Sequence, residues 1–374
     1  MPQSSHSQSH SHSHLHCVSN MFHSHFIVTF SLLLSLPIIF LLAPRLLPPR
    51  RIPISLPDEL DDLALFNRAI VAASNPYNKP RSSSIFRLGA TNPRLKIAFM
   101  FLTNSDLWFS PIWERFFNGS NKDLYNVYVH ADPDCNVRDP GGIFEGKFIA
   151  SKHTERASPT LISAARRLLA TAILDDSMNF YFTLVSQHCV PIHSFRYMYD
   201  SVFQKGRFIW GGKVKYRSFI EILSNESTLH DRYYARGDNV MLPEVPYEEF
   251  RVGSQFFVLN KKHALMVLRD RKLWRKFRLP CINVESCYPE EHYFPTLLSM
   301  QDLKGCTQFT LTRVNWTASV DGHPHTYSPP EVTPELIYEL RQSNFTYDYM
   351  FARKFSPDCL NVLMDMADSV IFKD

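Results

Sequence analysis

Long apolar runs alternate with amphipathic stretches along the chain after residue 94. Three of the runs have the length and composition of strands buried on both faces of a parallel sheet: LKIAFMFLT (95–103), LYNVYVHA (124–131) and FYFTLVS (180–186). The stretches 108–117 and 158–175 predict helices, the second with a serine N-cap and a proline at its first position. This alternation predicts an α/β fold, in which helices cover both faces of an open, mostly parallel sheet.

The longest apolar run lies near the N-terminus. Residues 26–43 (FIVTFSLLLSLPIIFLLA) carry no formal charge, and they approach the roughly 20 residues that a helix needs to cross the hydrocarbon of a membrane. The run therefore predicts an N-terminal transmembrane helix that acts as a signal-anchor. Pro37 and Ala43 also fit the apolar part and the cleavage site of a removable signal peptide, so this alternative stays open.

Composition divides the rest of the chain. Residues 1–25 form a His/Ser-rich tail, expected in the cytosol, and residues 44–93 are rich in Pro, Ser and Arg, as in a stem that holds a domain away from a membrane. Residues 94–374 are expected to form the lumenal catalytic domain. Within the stem, DELDDLALFNRAIVAA (58–73) predicts a short amphipathic helix that packs back on the domain.

Two features favour a lumenal position for the C-terminal part. N-glycosylation sequons, which are modified only in the lumen, occur at Asn118, Asn225, Asn315 and Asn344. An even set of cysteines beyond the anchor fits a disulfide framework in an oxidising compartment: Cys135, Cys189, Cys281, Cys287, Cys306 and Cys359. The arginines point the other way, because no Lys or Arg precedes the apolar run and three arginines follow it within 45–51.

Charge and motif content exclude several classes of protein. Lys and Arg (40) nearly balance Asp and Glu (36) and form no long basic run, so nucleic acid is not an expected partner. The sequence contains no GxGxxG, GxxxxGK[ST], GxSxG or HExxH motif. It also contains no CxxC pair, which disfavours a structural zinc site.

Acidic residues follow the second predicted strand. Asp132 and Asp134 form an Asp-x-Asp pair at its carboxyl end, where open α/β sheets bind their ligands. Such a pair can hold a divalent cation against a diphosphate. Alternatively, one aspartate bonds a ribose or base and the other caps a turn. Spacing does not decide between these alternatives.

A second pair of acids opens a predicted helix. Glu290 and Glu291 follow Pro289 and lie beside His292 and two tyrosines. Acids at a helix start stabilise the helix dipole, which accounts for one of them. A carboxylate in a partly desolvated wall of this kind can also act as a general base, so both interpretations stand at this point.

Cationic residues in the C-terminal region can neutralise a leaving diphosphate without a metal ion. The candidates are Arg313 and Lys354, whereas Arg353 is expected on the solvated surface. Arg232 lies in the segment HDRYYARG beside two tyrosines, a combination that suits sugar binding and suits ordinary loop packing equally.

The sequence resembles the core-2/I-branching β-1,6-N-acetylglucosaminyltransferase family, glycosyltransferase family 14, and especially its plant members. The stretches that carry the resemblance follow one another from about 95 to 358: KIAFMFLT, YNVYVHADP, RRLLATAILDD, FYFTLVSQHCVPIHSF, RYYARGDNVMLPEVP, GSQFFVLNKKHA, YPEEHYFPTLL, TLTRVNW, HPHTYSP and FARKFSP.

The resemblance implies a GT-A-like fold, a type II topology in the Golgi membrane, and inversion at the anomeric carbon without a metal or other cofactor. It places the catalytic base on Glu291, in the Pro-acid-Glu motif. It places donor binding on Asp132, Arg313 and Lys354, and acceptor binding on Arg232. Glu290 and Ser163 depart from residues that are common in relatives, so the resemblance supports no function for either.

The expected reaction is transfer of a sugar, N-acetylglucosamine by the family's name, from a UDP-sugar to a hydroxyl of a glycan or glycoprotein. The alternatives are transfer of glucuronic acid to an arabinogalactan-type glycan and a catalytically silent glycan-binding relative. A glycoside hydrolase is disfavoured, because adjacent Glu290 and Glu291 diverge from one helix turn and do not flank a bond from two sides.

Overall fold

The computed structural model describes residues 28–37, 59–74, 94–210, 213–317, 319 and 322–374. The chain forms two compact units, 1–56 and 57–374. In the first unit residues 28–37 are helical. No helix in the described part of the chain has the length and apolar character needed to cross a membrane. The remainder of the expected anchor 26–43, the tail 1–25 and most of the stem 44–93 lie outside the described residues.

The second unit is a mixed α/β domain. Its helices are α1 (Glu59–Ser74), α2 (Ser110–Phe117), α3 (Pro159–Asp175), α4 (Phe195–Gln204), α5 (Leu229–Tyr234), α6 (Lys261–Arg269), α7 (Trp274–Phe277), α8 (Pro289–Asp302), α9 (Pro334–Arg341) and α10 (Leu360–Asp365). Its strands are β1 (Lys96–Thr103), β2 (Tyr125–Ala131), β3 (Asn179–Ser186), β4 (Val190–Pro191), β5 (Arg207–Trp210), β6 (Lys213–Tyr216), β7 (Ser218–Glu221), β8 (Val258–Asn260), β9 (Cys306–Gln308), β10 (Thr312–Val314) and β11 (Phe351–Arg353).

A six-stranded sheet in the order β2-β1-β3-β8-β7-β9 forms the centre of the domain. The central strand β1 pairs in parallel with β2 and with β3, so that Ile97 lies opposite Tyr125 on one side and Tyr181 on the other. Strand β8 runs antiparallel to β3 and β7, and β9 runs parallel to β7. The prediction of a mostly parallel sheet is confirmed.

Helices pack on both faces of this sheet, as predicted. Along β1, Ala98, Met100 and Leu102 belong to one buried cluster with residues of α3, α6 and α8. The alternate residues of β1 belong to a second cluster with residues of α2 and α4. In that cluster the ring of Phe99 makes edge contacts with three aromatic residues of α2, an arrangement that adds to the stabilisation from burial alone.

The amphipathic helix predicted within the stem is α1, and it packs against the domain as expected. Phe66 and Ala69 of α1 are buried in the first cluster. Asp62 accepts two hydrogen bonds from Arg167 of α3, at 2.6 and 2.7 Å. Both side chains are at least nine-tenths buried, and Lys152 lies 3.5 Å from the same carboxylate. This contact carries charge into an otherwise apolar helix interface.

The expected framework involving all six cysteines is wrong. One disulfide forms, between Cys281 and Cys287. The other four cysteines are free, and three of them are buried. Each buried thiol has its own polar neighbour: Cys189 lies beside Ser186, Cys306 beside His263, and Cys359 donates to the carbonyl of Tyr327. The even number of cysteines therefore does not indicate a network of cross-links, because two of the six close one short loop and four stay free.

We predict that Asp62→Ala lowers the free energy of unfolding by about 3 to 5 kcal/mol, because it leaves the buried guanidinium of Arg167 without its anion. Urea unfolding of the two proteins measures the difference. The control is Asp200→Ala, which removes an exposed partner 3.9 Å from Arg196 and costs at most about 1 kcal/mol. Equal losses in the two variants contradict a structural role for the buried pair.

Candidate active site

The helix α8 begins with a change in backbone direction that separates its two acids. Tyr288, the N-cap, has a left-handed backbone with φ of 36°, and Pro289 follows it. This conformation is unusual for a bulky residue and is found mostly where the surroundings impose it. Glu290 then points into the protein and is 5% exposed, whereas the Glu291 side chain is 27% exposed. Two adjacent acids thus have different environments.

The Glu291 carboxylate is held by a cation from another helix. Its Oε2 accepts a hydrogen bond from Nη1 of Arg232, at the end of α5, over 2.8 Å. The backbone carbonyl of Glu291 accepts from the N–H of Gly253 at 2.9 Å. A Cβ at position 253 would lie 2.1 Å from the carbonyl oxygen of Glu221, so only glycine allows this approach. Arg232 therefore orients the carboxylate, and Gly253 holds the backbone of the same residue, while the side chain stays partly open to solvent.

Glu290 is neutral near physiological pH. Burial raises the pKa of its carboxyl to about 8, and the adjacent Glu291 adds to the rise, against hydrogen bonds from the backbone N–H groups of Glu290 and Ala157. Its Oε2 is buried and has no hydrogen-bond partner among the described residues. The start of α8 consequently carries its negative charge on Glu291.

Tyr288 links the neighbourhood of Glu291 to a second arginine. The guanidinium of Arg232 lies 5.3 Å from the centre of the tyrosine ring and that of Arg156 lies 5.7 Å from it. Arg156 also donates to the carbonyl of Gly322 at 3.2 Å. Cations at such distances from an aromatic face are attracted to its electrons. Arg156 was not identified from the sequence, because it belongs to no motif and lies in a loop before α3.

Lys354 lies near Arg353 and Arg156, whose charges act on it. It follows β11, and its Nζ is 2.8 Å from Nδ1 of His323. Burial, then the charges of Arg353 and Arg156, lower the pKa of Lys354 to about 8. Three cations therefore repel one another in a half-buried region, and a bound anion would relieve that repulsion.

Arg353 was expected on the solvated surface, and this prediction is wrong. Its guanidinium lies 4.4 Å from the ring centre of Phe256, and its Nε is buried without a hydrogen-bond partner in the described part of the chain. Burial lowers its pKa, and the negative charge of Glu291 acts in the opposite direction. Arg353 thus contributes positive charge near Glu291.

Asp132 lies at the carboxyl end of β2 and is 2% exposed. Its Oδ2 accepts from the backbone N–H and the hydroxyl of Thr154, at 2.8 and 2.7 Å, and its Oδ1 accepts from the backbone N–H of Asp134 at 2.9 Å. Burial raises the pKa of Asp132, but these hydrogen bonds outweigh it and the pKa is lower than usual. These hydrogen bonds therefore stabilise the ionised form of Asp132.

The aspartate pair and His153 form the one group with metal-ligand geometry among the described residues. Their ligand atoms lie within 4.8 Å of one another. The donor set of carboxylates and imidazole suits a divalent ion. Against this, the two oxygens of Asp132 already accept three hydrogen bonds, while Asp134 and His153 are exposed and pair with each other at 2.7 Å. A cation at this place would compete with these hydrogen bonds and with the contact between Asp134 and His153.

One short segment connects Asp132, at the end of β2, with Glu290, at the start of α8. Thr154 bonds Asp132, and three residues later Ala157 bonds Glu290. Arg156 lies between these contacts. The segment then enters α3, whose N-cap Ser158 accepts a hydrogen bond from the N–H of Thr160, as the sequence predicted. Asp132 and the start of α8, distant in sequence, are thereby joined.

Not every candidate is brought to this place. Arg313 lies in β10 with its guanidinium 5.0 Å from the ring centre of Tyr349. Within the described residues it makes no hydrogen bond or ion pair with Glu291, Lys354 or Asp132. Its assignment to donor binding stays a prediction.

The neutral state of Glu290 predicts how stability depends on pH. The folded pKa of about 8 lies above the ordinary value of 4.5, so the folded protein binds a proton that the unfolded chain releases. Stability should fall as pH rises between these two values. Glu290→Gln, which is neutral at every pH, should show a smaller fall, measured by urea unfolding between about pH 5 and about pH 9. Parallel curves for the two proteins would contradict the assignment.

Comparison with known proteins adds the family. The family model for the core-2/I-branching enzyme matches residues 97–341, a range that contains Asp132, Arg232, Glu291 and Arg313. "Glycosyltransferase BC10" of Oryza sativa subsp. japonica is 27% identical over 322 residues, which cover 73% of this chain and 76% of the rice protein. Because the family model extends over more than half of the chain, from the central strand β1 through the helix that carries Glu291, the protein belongs to the core-2/I-branching enzyme family of glycosyltransferases, glycosyltransferase family 14.

Proposed function

We propose that this protein is an inverting glycosyltransferase that moves a sugar, N-acetylglucosamine, from its UDP donor to a hydroxyl of a glycan, with Glu291 as the general base. The observation that carries the proposal is the position of Glu291: a partly exposed carboxylate, fixed by Arg232, beside a half-buried group of cations. A base and an anion-binding region next to each other are what transfer from a nucleotide diphosphate requires.

In the proposed reaction the acceptor hydroxyl approaches the Glu291 carboxylate, which takes its proton. The hydroxyl oxygen forms a bond to the anomeric carbon on the face opposite the nucleotide. The bond between that carbon and the diphosphate oxygen breaks, and the electron pair leaves with UDP. One displacement inverts the anomeric configuration. Arg232 keeps the carboxylate in place until the acceptor arrives.

The leaving diphosphate carries the charge that develops in this step. Lys354 and Arg156 lie close enough for the arginine to lower the pKa of the lysine, and we propose that both contact the diphosphate. A bound diphosphate would hold Lys354 in its charged form, because an opposite charge favours the ammonium. With these side chains as counter-charge, the reaction needs no metal ion at Asp132 and Asp134.

Neutral Glu290 supports this assignment of the base. Two ionised carboxylates at the start of α8 would repel each other and weaken the attraction for a diphosphate nearby. With Glu290 protonated, the site carries one carboxylate against several cations. The parallel strand ends and the buried carboxylate of Asp132 fit a GT-A-like nucleotide site, and we propose Asp132 as the contact to the nucleoside.

We also propose that the protein is a single-pass type II protein of the Golgi membrane, anchored by residues 26–43, with its catalytic domain in the lumen. Three of the four sequon asparagines, Asn118, Asn225 and Asn344, are exposed. Asn315 is half-buried, and its side chain accepts a hydrogen bond from the N–H of Thr317 at 2.9 Å. The disulfide Cys281–Cys287 fits an oxidising compartment.

Replacement of the base tests the reaction. Glu291→Gln should lower kcat by a factor of about 100 to 10,000, because the amide does not accept the hydroxyl proton. Transfer is measured with the full chain across UDP-N-acetylglucosamine, UDP-glucuronic acid and other UDP-sugars, on neutral and acidic glycans. Glu335→Gln, an exposed acid at the start of α9, is the matched control and should keep full activity.

Two outcomes of this experiment contradict the proposal. Full activity of Glu291→Gln removes the base assignment. The other outcome is loss of wild-type activity on addition of a chelator, with recovery on addition of a divalent cation. It would show that a cation held by Asp132, Asp134 and His153 neutralises the diphosphate in place of Lys354 and Arg156.

Glycosylation tests the topology. In cells, peptide N-glycosidase should lower the apparent mass of the protein, and Gln in place of the three exposed sequon asparagines should remove most of that shift. Asn315→Gln should remove little, because the side chain is half-buried and hydrogen-bonded. No shift, together with cleavage of the catalytic domain by protease added outside sealed microsomes, would overturn the lumenal assignment.

A further inference from the structure

A surface cavity of about 600 Å³ lies beside α5, and the proposed transfer uses none of its polar side chains. The cavity is lined by His230, Asp231, Tyr234, Asp238, Asn239 and Asn283. Its volume falls within the range of small-molecule sites. Its residues come from two segments far apart in the sequence, α5 with the turn that follows it and the disulfide-closed loop 281–287.

The two segments are tied together by backbone hydrogen bonds. The carbonyl oxygen of Ala235, directly after α5, accepts from the N–H groups of Ile282 and Asn283 at 2.8 and 2.9 Å. The disulfide Cys281–Cys287 closes the loop around this contact, and the next residue along the chain is Tyr288, the N-cap of α8. One wall of the cavity is thus continuous with the helix that carries the proposed base.

The lining residues have the chemistry of carbohydrate recognition. Tyr234 is 38% exposed, and its ring centre lies 4.6 Å from that of His230. A sugar presents a face of C–H groups that packs on such a ring, and a rim of hydroxyls that donate to and accept from acid and amide side chains. Asp238, Asn239 and Asn283 line the same cavity and supply one carboxylate and two amide groups.

The charges of the lining define the class of sugar. The lining contains two aspartates and no lysine or arginine. A uronic acid or a phosphorylated sugar would place its anion beside these carboxylates, where like charges repel. Neutral sugars meet no such penalty.

The position of the cavity relative to Glu291 determines which sugar unit of a bound glycan the cavity contacts. Residues four apart on a helix share a face, so His230 and Tyr234 lie together, whereas Arg232 projects from another side toward Glu291. Helix α5, about 10 Å wide with its side chains, therefore lies between the cavity side and the side that faces the base. A sugar in the cavity lies beyond the unit that carries the attacked hydroxyl.

We propose that this cavity is an outer acceptor subsite that binds neutral sugar units of an oligosaccharide at a distance from the reacting hydroxyl. It gives the protein a preference for neutral oligosaccharide acceptors over monosaccharides and over acidic glycans. The identification of the ligand as an acceptor rests on the proposed function, whereas the binding of neutral oligosaccharides does not depend on turnover.

A binding experiment tests the subsite with the full chain and without donor. The probes are neutral galacto-, gluco-, xylo- and manno-oligosaccharides from one to about four units, and oligogalacturonides as acidic probes; affinity is measured by saturation-transfer NMR and calorimetry. At least one neutral series should bind about tenfold more tightly as an oligosaccharide than as its monosaccharide. Tyr234→Ala and Asp238→Asn should each reduce that gain at least threefold.

Tyr338→Ala is the matched control, since Tyr338 is an exposed tyrosine on α9 with 49% of its surface accessible. It should keep the full gain with oligosaccharide length. Unchanged UDP affinity in every variant shows that the fold and the donor site are intact. Retention of the gain in both cavity variants overturns the proposal, as does the absence of any gain in the neutral series or tighter binding of the oligogalacturonides.

The two proposals fail in different measurements. If Glu291→Gln keeps full transferase activity, the base assignment is wrong, while a length-dependent gain that is lost in Tyr234→Ala still establishes the subsite. If Glu291→Gln abolishes transfer and the cavity variants bind oligosaccharides as the wild type does, the subsite is wrong and the proposed reaction stands.

Discussion

The strand β1 is buried on both faces and hydrogen-bonded in parallel on both edges, and the rest of the domain follows from this constraint. A parallel neighbour is reached only by a crossover that covers a face of the sheet. The apolar residues on each face of β1 therefore need helices against them, which α3 provides on one side and α2 on the other. The crossover from β2 to β3 contains residues 152–158, and this segment leads from Asp132 to Glu290.

Charge in the interior is matched at one place in this domain and removed at another. At the interface of α1 and α3 it is matched, because Asp62 accepts two hydrogen bonds from Arg167. At the start of α8 it is removed, because buried Glu290 holds its proton. Next to it, Lys354 and its arginine neighbours repel one another, and the protein supplies only part of the negative charge that would balance them. A dianionic leaving group is the natural complement of such a region.

The two proposed sites share one structural support. The loop 281–287 is closed by a disulfide, bonded to the end of α5, and continuous with Tyr288. Helix α5 presents Arg232 to Glu291 on one side and His230 with Tyr234 to the outer cavity on another. A glycan bound across this short helix would contact both, which connects recognition of the chain with placement of its reacting hydroxyl.

The sequence alone determined the parts of this protein that local patterns encode. Continuous apolar runs predicted β1, β2 and β3, the Ser-Pro pair predicted the start of α3, and an ordered series of motifs indicated the family. It left the metal and turn interpretations of Asp132 open, and it assigned the base to Glu291 only through the family resemblance, because spacing does not separate the environments of Glu290 and Glu291. Only the tertiary structure separated them, because a helix turn sends adjacent side chains toward solvent and toward the core. The pairing of Cys281 with Cys287, six residues along the chain, depended on the conformation of one short loop. The positions of Arg156 and Arg353 were decided by contacts between segments distant along the chain. Such contacts leave no periodicity in the sequence, since they depend on where the folded segments meet.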